Sequence, residues 1–240
     1  MAVQLFIPCY VDQYTPQVAR ALCQLLDYLG IAWTYPATQT CCGQFAYNAG
    51  DWTSARRLMR HFFTVFNRTE AIICPSASCV LTVRCHYPSL IETPHDADHL
   101  QQLQPLVLEF SEWLFSILPL PYSLNFPGKV LLHQSCAARQ LGSLPKMRHI
   151  LSTVSQLELL EMPSSYACCG FGGLFSVKRP ELSQAIGLNY LTAARSTGAE
   201  ALVSPDVGCL LHLQGLLQAR GLTWPLYHLS ELLLQTLQYC

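Results

Sequence analysis

Two stretches of the sequence begin with adjacent cysteines followed by glycine, CCGQ from Cys41 and CCGF from Cys168. In both, 31 residues separate an earlier cysteine from the pair, and 36 or 39 residues separate the pair from a last cysteine. Such a spacing is an internal repeat, and it predicts two equivalent sets of four thiols. The first set is Cys9, Cys41, Cys42 and Cys79, and the second set is Cys136, Cys168, Cys169 and Cys209.

The chemistry of such sets is that of soft metal ligands. Adjacent cysteines do not readily bond to each other, because a disulfide needs well-separated Cα atoms and a specific dihedral angle. Four thiolates select zinc or an iron-sulfur cluster. Structural zinc sites usually take their ligands from short Cys-x2-4-Cys segments, whereas these sets are widely spread, which favours the larger cluster. The glycines that follow the pairs would let backbone amides donate hydrogen bonds to cluster sulfides: Gly43, Gly170, Gly172 and Gly173.

Other residues near the repeated cysteines have two interpretations. Cys74 is interpreted as a buried strand residue, with ligation as the alternative. His133 and His212 each lie three residues from a repeated cysteine and are interpreted as structural. Either could instead donate a hydrogen bond to a cluster sulfur, transfer a proton or replace a thiolate. Phe171 and Phe175 are expected to shield the site. Three further cysteines are expected to lie outside it: Cys23, Cys85 and Cys240.

Short apolar runs and helical stretches alternate in both halves of the repeat. The runs VQLFIPC and KVLLHQSC predict buried strands that end at the first cysteine, and IAWTYP and QLELLEMP predict strands that deliver the Cys-Cys-Gly. Third strands, EAIICPSASC and EALVSPDVGC, are expected to end at the last cysteine. Between them lie helical stretches such as TPQVARALCQLLDYLG and PELSQAIGLNYLTAARSTG. Parallel strands joined by helices bring their carboxyl ends, and therefore these cysteines, to one edge of each sheet.

The predicted fold is therefore α/β, with two repeated Rossmann-like halves, each a parallel sheet flanked by helices, related by a pseudo-twofold axis. The halves are residues 1–124 and 125–240. The polar, proline-containing segment 119–129 is the expected boundary. Residues 92–105 are expected to form an insertion loop in the first half.

Composition excludes several classes of function. The 14 basic and 15 acidic residues nearly balance and form no basic stripe, so nucleic acid is not an expected partner. No window approaches the ~18 consecutive apolar residues of a membrane helix. The stretch MAVQLFIPC predicts a first strand rather than an export signal. Twelve cysteines then suggest metal binding or redox chemistry in the cytoplasm rather than disulfides. Nucleotide loops and nucleophile elbows are missing from the sequence.

The segments HQSC, CCGFGGLFSVK and DVGC together resemble the cysteine-rich Cys-Cys-Gly domain family, and the resemblance covers essentially the whole chain. Within that family it is strongest to the iron-sulfur proteins of lactate utilization. It implies cluster binding, 4Fe-4S in type and one or two per chain, by the eight repeated cysteines. It also implies a cytoplasmic electron-transfer subunit, not catalytic alone, of a multi-protein system that oxidises L-lactate to pyruvate.

The chain departs from more distant relatives that it resembles. In the cysteine-rich subunit of heterodisulfide reductase a closing Cys-x-x-Cys supplies a fifth thiolate for a noncubane cluster, and here Ser76 and Asp206 occupy those positions. The iron-sulfur subunits of glycolate oxidase and anaerobic glycerol-3-phosphate dehydrogenase add a ferredoxin-like cysteine run that is missing here, so further redox centres would lie on partner subunits. Alternative functions are a subunit of a glycolate or other 2-hydroxy-acid oxidase, a thiol-disulfide subunit, and a zinc-binding interaction module.

Overall fold

In a computed structural model that describes residues 2–66, 70–120, 123–162 and 168–238, the first half begins with an apolar strand and alternates strands with helices. Its elements are β1 (Ala2–Leu5), α1 (Cys9–Tyr14), α2 (Pro16–Tyr28), β2 (Ala32–Thr34), α3 (Gln44–Ala49), α4 (Trp52–Val65), β3 (Ala71–Cys74), α5 (Ala77–Leu81), α6 (Pro94–Leu103), β4 (Val107–Glu109) and α7 (Phe110–Ser116). A π-helical turn, Thr82–His86, extends α5, and 3-10 turns occupy Tyr87–Leu90 and Gln104–Leu106.

The second half repeats this order. Its elements are β5 (Leu124–Leu132), α8 (Cys136–Leu141), α9 (Leu144–Ser152), β6 (Val154–Glu161), α10 (Leu174–Lys178), α11 (Pro180–Ser196), β7 (Ala201–Ser204), α12 (Val207–Gln218), β8 (Leu226–His228) and α13 (Leu229–Gln238). The strand orders are β2-β1-β3-β4 and β6-β5-β7-β8, and all neighbouring strands are parallel. The predicted α/β fold with two similar parallel-sheet halves is confirmed.

The helices that connect the two halves pack in reciprocal pairs, as a pseudo-twofold axis requires. Helix α1 packs on α12 and α5 on α8, while α2 packs on α13 and α7 on α9. The largest core cluster joins both sheets through these helices, with buried side chains such as Leu22, Trp113, Met147 and Leu232. Separate apolar clusters cover the opposite faces, under α4 in the first half and under α11 and α12 in the second. Both sheets are thus buried on two faces, as parallel sheets require.

Two local expectations were wrong. The third strands end at Cys74 and Ser204, before the last cysteines, because a proline follows each strand and the chain turns into α5 or α12. Residues 92–105 contain α6, which Thr93 caps by accepting a hydrogen bond from an amide of the first turn. The division into residues 1–124 and 125–240 stays a prediction: β5 begins at Leu124, inside the expected boundary segment 119–129, and residues 121 and 122 lie outside the described part of the chain.

The helices of the structure were compared with the length and apolarity of a membrane span. Among the residues that the structure describes, none of the helices has the length and apolarity needed to cross a bilayer.

A glycine is required where the second Cys-Cys pair turns towards α11. Gly170 has a φ of +89°. A Cβ added there would lie 2.4 Å from the carbonyl oxygen of Ser183 and 2.9 Å from the amide nitrogen of Gly187, both in the backbone of α11. The Ser183 hydroxyl in turn donates a hydrogen bond of 2.7 Å to the Gly170 carbonyl. The turn that carries the cysteines is therefore held directly against a helix.

The fourth strand of the first half ends in a buried carboxylate. Glu109 caps α7 by accepting hydrogen bonds from the amide, at 3.0 Å, and the hydroxyl of Ser111, and the Glu109 amide donates to Glu112 at 3.1 Å. Glu112 also pairs with Arg84 at 2.6 Å and with Lys146 of the second half at 3.4 Å. The capping box thus connects the end of β4 to the other half of the chain.

Gly170→Ala is expected to lower the free energy of unfolding by more than the ~1–2 kcal/mol that left-handed strain alone costs, because the α11 backbone must also shift. Gly142→Ala is the matched control, since Gly142 also has a positive φ, +69°, and an added Cβ there meets nothing within 4 Å. Urea denaturation of both metal-free variants measures the difference. Equal losses would contradict the proposed close approach to α11.

The contribution of Glu109 to protein stability is expected to fall as the pH rises from 5 to 8. Burial raises the pKa of Glu109 from 4.5 to about 8. The folded state therefore binds this proton more tightly than the unfolded chain, so the stabilisation is complete below pH 4.5 and is lost as the pH rises through 8. At pH 7 the loss is about 3 kcal/mol at 1.36 kcal/mol per pKa unit.

Relative to wild type, Glu109→Gln should gain stability as the pH rises, because the amide keeps the acceptor oxygen but does not titrate. Glu158→Gln is the control, since the Glu158 side chain is 55% exposed. Unfolding free energies measured from pH 5 to 8 on metal-free protein test the prediction. It is wrong if wild type and Glu109→Gln show the same slope.

Candidate metal centre

The repeated cysteines lie where parallel strands end and helices begin. Cys9 and Cys136 are the first residues of α1 and α8. Cys79 and Cys209 lie in the first turns of α5 and α12. The two adjacent pairs lie in the loops after β2 and β6. All four positions of each repeat therefore follow the carboxyl ends of the strands, where ligands bind in open α/β sheets.

All eight cysteines line one cavity of about 120 Å³ to which both halves contribute. The sequence predicted one set of thiols at the edge of each sheet, but it did not reveal that the two edges face each other. Gly172 and Gly173 also line the cavity. Gly43 and Gly170 contribute their backbone amides to the cysteine pairs. The volume is well above the ~10–15 Å³ that holds one water molecule, so the cavity can take a group larger than a single ion.

The first set of thiols is linked by hydrogen bonds. Cys9 donates to the sulfur of Cys41 at 3.7 Å, and Cys42 donates to that of Cys79 at 3.5 Å. The neighbouring Cys42 and Cys9 side chains lower the pKa of Cys41, and the amide of Gly43 adds to this effect. The Cys41 side chain, together with burial, raises the pKa of Cys9 and of Cys42. The thiols of this set therefore affect one another's ionisation.

The second set is arranged in the same way but is more open. The Cys169 thiol donates to the sulfur of Cys209 at 2.9 Å, and the Gly170 amide donates to that of Cys168 at 3.3 Å. Cys169 and Cys209 are buried, whereas Cys136 and Cys168 are exposed. A hydrogen bond to Cys169 and burial raise the pKa of Cys168, and burial raises the pKa of Cys136.

Polar side chains join the halves at the edge of this cavity. Asp206 accepts hydrogen bonds from the hydroxyl and the amide of Ser78, at 2.9 and 3.1 Å, and from the hydroxyl of Ser76 at 3.5 Å. Burial raises the pKa of Asp206 to about 6. Ser76 and Asp206 each lie three residues before the last cysteine of their set. Here they bind each other across the two halves.

The two histidines singled out from the sequence lie in different places. A ring nitrogen of His133 and the sulfurs of Cys169 and Cys209 all lie within 4.8 Å of one another. His133 Nδ1 is 2.8 Å from the Tyr190 hydroxyl, and burial lowers the pKa of His133 to about 3, so the ring is neutral. His212 is not part of the cavity wall and lies 3.4 Å from a backbone carbonyl of α11. His133 is therefore the histidine next to the second set.

Aromatic side chains cover one side of the cavity. Phe171 lines it as expected, and its ring centroid is 5.7 Å from that of Tyr10, which is 5.6 Å from that of Phe45. Phe175 instead lines a separate groove on α10. Tyr10 and Phe45 were missed, although each lies within four residues of a repeated cysteine. These rings limit the access of water to the sulfurs.

The other cysteines that the structure describes do not line the cavity, although Cys74 packs against Cys42 and Cys79. Cys74 is fully buried in β3, with its sulfur 3.7 Å from the Ser76 carbonyl, and does not line the cavity. Cys23 is half-buried in α2, and Cys85 is exposed. Cys240 lies outside the described residues.

The donor set fits a thiolate-bound metal centre. Two groups of four sulfurs face one cavity, and one sulfur of each group already accepts a backbone amide hydrogen bond. Hydrogen bonds of this kind stabilise thiolates bound to iron-sulfur clusters. Hard cations prefer oxygen ligands, which are few in this cavity. The site is therefore suited to a soft metal.

Comparison with solved structures supports the fold. A hypothetical protein from Helicobacter pylori superposes with a TM-score of 0.58 at 14% identity, over 98% of this chain and 48% of that protein. The chain thus spans about half the length of the solved protein. At this identity the likeness concerns the fold alone.

Comparison of sequences identifies the family. The profile described as "Cysteine-rich domain", CCG, matches residues 3–84 and 130–214, which contain all eight repeated cysteines. Lactate utilization protein A of Bacillus thuringiensis (strain Al Hakam) and that of Bacillus cereus (strain AH187) are each 34% identical to this chain over 236 residues, 97% of the chain and 98% of the relative. The resemblance predicted from the motifs is confirmed, and the chain belongs to the cysteine-rich CCG domain family.

Proposed function

We propose that this protein is a cytoplasmic iron-sulfur subunit that transfers electrons within a multi-protein system oxidising L-lactate to pyruvate. The observation that carries the proposal is the convergence of two four-thiol sets on one cavity. Relatives named lactate utilization protein A, similar over almost their whole length, suggest lactate as the substrate. The reducing cytoplasm keeps such thiols free to bind metal.

The residues of the chain would act mainly as cluster ligands and as the lining of the cavity. One set, Cys9, Cys41, Cys42 and Cys79, would hold a 4Fe-4S cluster in the first half, and the other, Cys136, Cys168, Cys169 and Cys209, a cluster in the second. A bound cluster supplies one-electron transfer. The amides of Gly43 and Gly170 donate to ligand sulfurs, and the aromatic side of the cavity keeps water away. Gly172 and Gly173 allow close approach of the backbone.

Partner subunits complete the proposed reaction. Oxidation of a 2-hydroxy acid to a 2-oxo acid releases two electrons and two protons. An iron-sulfur cluster accepts one electron at a time, so the two-electron oxidation of the substrate is assigned to a partner with its own redox centre. Glycolate, or another 2-hydroxy acid, is the alternative substrate.

Protein purified without oxygen is expected to contain iron and acid-labile sulfide in equal amounts, about eight of each per chain if both halves are loaded and about four if one is. Cys168→Ser with Cys169→Ser should remove the share of the second half, and Cys41→Ser with Cys42→Ser that of the first, because a serine hydroxyl is a poor ligand for iron in such clusters. Colorimetric iron and sulfide assays with elemental analysis measure this.

Two single variants control for the loss of any thiol. Cys85→Ser and Cys23→Ser should leave iron and sulfide unchanged, since neither side chain lines the cavity. Zinc without sulfide in the wild type would replace the proposal with a zinc-binding module. A protein that holds neither metal after anaerobic purification would contradict both.

The assignment to lactate predicts a growth phenotype. In a bacterium whose own lactate utilization protein A has been deleted, this chain should restore growth on L-lactate, and Cys168→Ser with Cys169→Ser should not. Growth rate on L-lactate and on glycolate is the measurement, with Cys85→Ser as the positive control. Restored growth on glycolate alone would favour the alternative substrate.

A further inference from the structure

The two halves place different chemistry at one equivalent position beside their cysteines. Phe6 in the first half and His133 in the second each follow the first strand directly, and each amide donates to the equivalent carbonyl of the third strand. The bonds run from Phe6 to Ile73, at 2.9 Å, and from His133 to Val203, at 2.8 Å. The backbone is therefore superposable at this point, and only the side chain differs.

The aromatic ring that packs against this residue is also apolar in the first half and polar in the second. Phe6 packs edge-on against Phe62 of α4, with ring centroids 5.1 Å apart and an interplanar angle of 78°. His133 packs edge-on against Tyr190 of α11, with centroids 4.9 Å apart and an angle of 86°. An apolar aromatic pair in the first half is thus replaced by a polar, hydrogen-bonded pair of the same shape in the second.

One nitrogen of this polar pair has no hydrogen-bond partner among the residues that the structure describes. His133 is 1% exposed and its Nδ1 is satisfied by the Tyr190 hydroxyl, but its Nε2 makes no hydrogen bond. An unsatisfied buried polar atom costs ~1–3 kcal/mol, and such atoms call for an explanation. The sulfurs of Cys169 and Cys209 are the acceptors nearby, within 4.8 Å of a ring nitrogen of His133.

We propose that His133 donates a hydrogen bond from Nε2 to the Cys169–Cys209 sulfur pair and thereby makes the second half the electron-accepting end of the protein. The inference rests on the proposed function, since it concerns a cluster held by those sulfurs. Hydrogen bonds to ligand sulfur stabilise the more negative, reduced state and raise the reduction potential. The equivalent Phe6 cannot donate, so the two halves acquire different potentials.

Tyr190 is a positioning residue in this arrangement. A neutral imidazole carries one N–H, and the hydrogen bond at the other nitrogen selects which one. In the proposed arrangement the phenol O–H donates to Nδ1, 2.8 Å away, which leaves the ring proton on Nε2 for donation to the sulfurs. Loss of the Tyr190 hydroxyl should therefore weaken the donor without removing it.

Direct ligation of metal by His133 is the competing role, and it predicts a different result. A ligand would be needed to hold the iron of the second half, whereas a donor would change only its potential. The test therefore measures iron and potential together on the same sample.

The experiment isolates the second half in a parent that carries Cys41→Ser and Cys42→Ser. His133→Phe with Tyr190→Phe is then added, which copies the Phe6–Phe62 pair already packed in the first half. Iron and sulfide per chain should remain those of the parent. The midpoint potential in a dye-mediated titration followed by EPR should fall, by about tenfold in the reduction equilibrium, or about 59 mV for one electron.

Two further variants separate a specific donor from a packing effect. In the same parent, Tyr190→Phe alone should give a smaller fall. In the complementary parent, Cys168→Ser with Cys169→Ser, the reciprocal change Phe6→His with Phe62→Tyr should raise the potential of the first half. Circular dichroism of each variant verifies folding.

The outcomes distinguish the two proposals. A Cys41→Ser, Cys42→Ser parent without iron would overturn the proposed loading of the second half and this inference with it. A parent with iron whose potential is unchanged by the double aromatic variant would overturn the inference alone. Loss of iron from the folded aromatic variant would overturn it too, in favour of ligation by His133.

Discussion

Thiols gathered around one cavity cannot all ionise unless a cation joins them, and the rest of the site follows from this electrostatic constraint. In the protein alone, one thiolate at Cys41 is stabilised by its neighbours, while the pKa values of Cys9, Cys42 and Cys168 are raised. A bound metal reverses this, because coordination deprotonates a thiol outright. The packing of these cysteines, and the amides directed at their sulfurs, is consistent with a site built for positive charge.

The fold produces this gathering of thiols by simple means. Parallel strands point their carboxyl ends the same way, so one half brings four cysteines to one edge. A pseudo-twofold axis then places two such edges against each other, through the reciprocal contacts of α1 with α12 and α5 with α8. Asp206 accepts two hydrogen bonds from Ser78 and so joins the two halves at this contact. One cavity, rather than two separate sites, is the consequence.

The sequence predicted much of this, because spacing is a local property. The cysteine repeat and the apolar runs were sufficient to predict the alternation of strands and helices within each half and the two four-thiol sets. The two sets face each other because residues far apart in the chain pack together, such as Ala77 and Ala137 in one buried cluster. The periodicity of a sequence carries no information about such contacts. The short helix α5 was missed because proline-terminated strands read as longer ones, and α6 was missed although the Thr93 cap and Pro94 marked its start. The sequence analysis singled out His133, but its proposed role depends on the structure, in which it occupies the position equivalent to Phe6.

The most direct test is a crystal structure of anaerobically purified protein with anomalous diffraction collected at the iron edge. We expect iron peaks inside the cavity, bonded to the sulfurs of Cys136, Cys168, Cys169 and Cys209 and to those of the first set wherever iron analysis finds both halves loaded. A single tetrahedral zinc ion there, or iron bound anywhere else on the chain, would contradict the proposed cluster site.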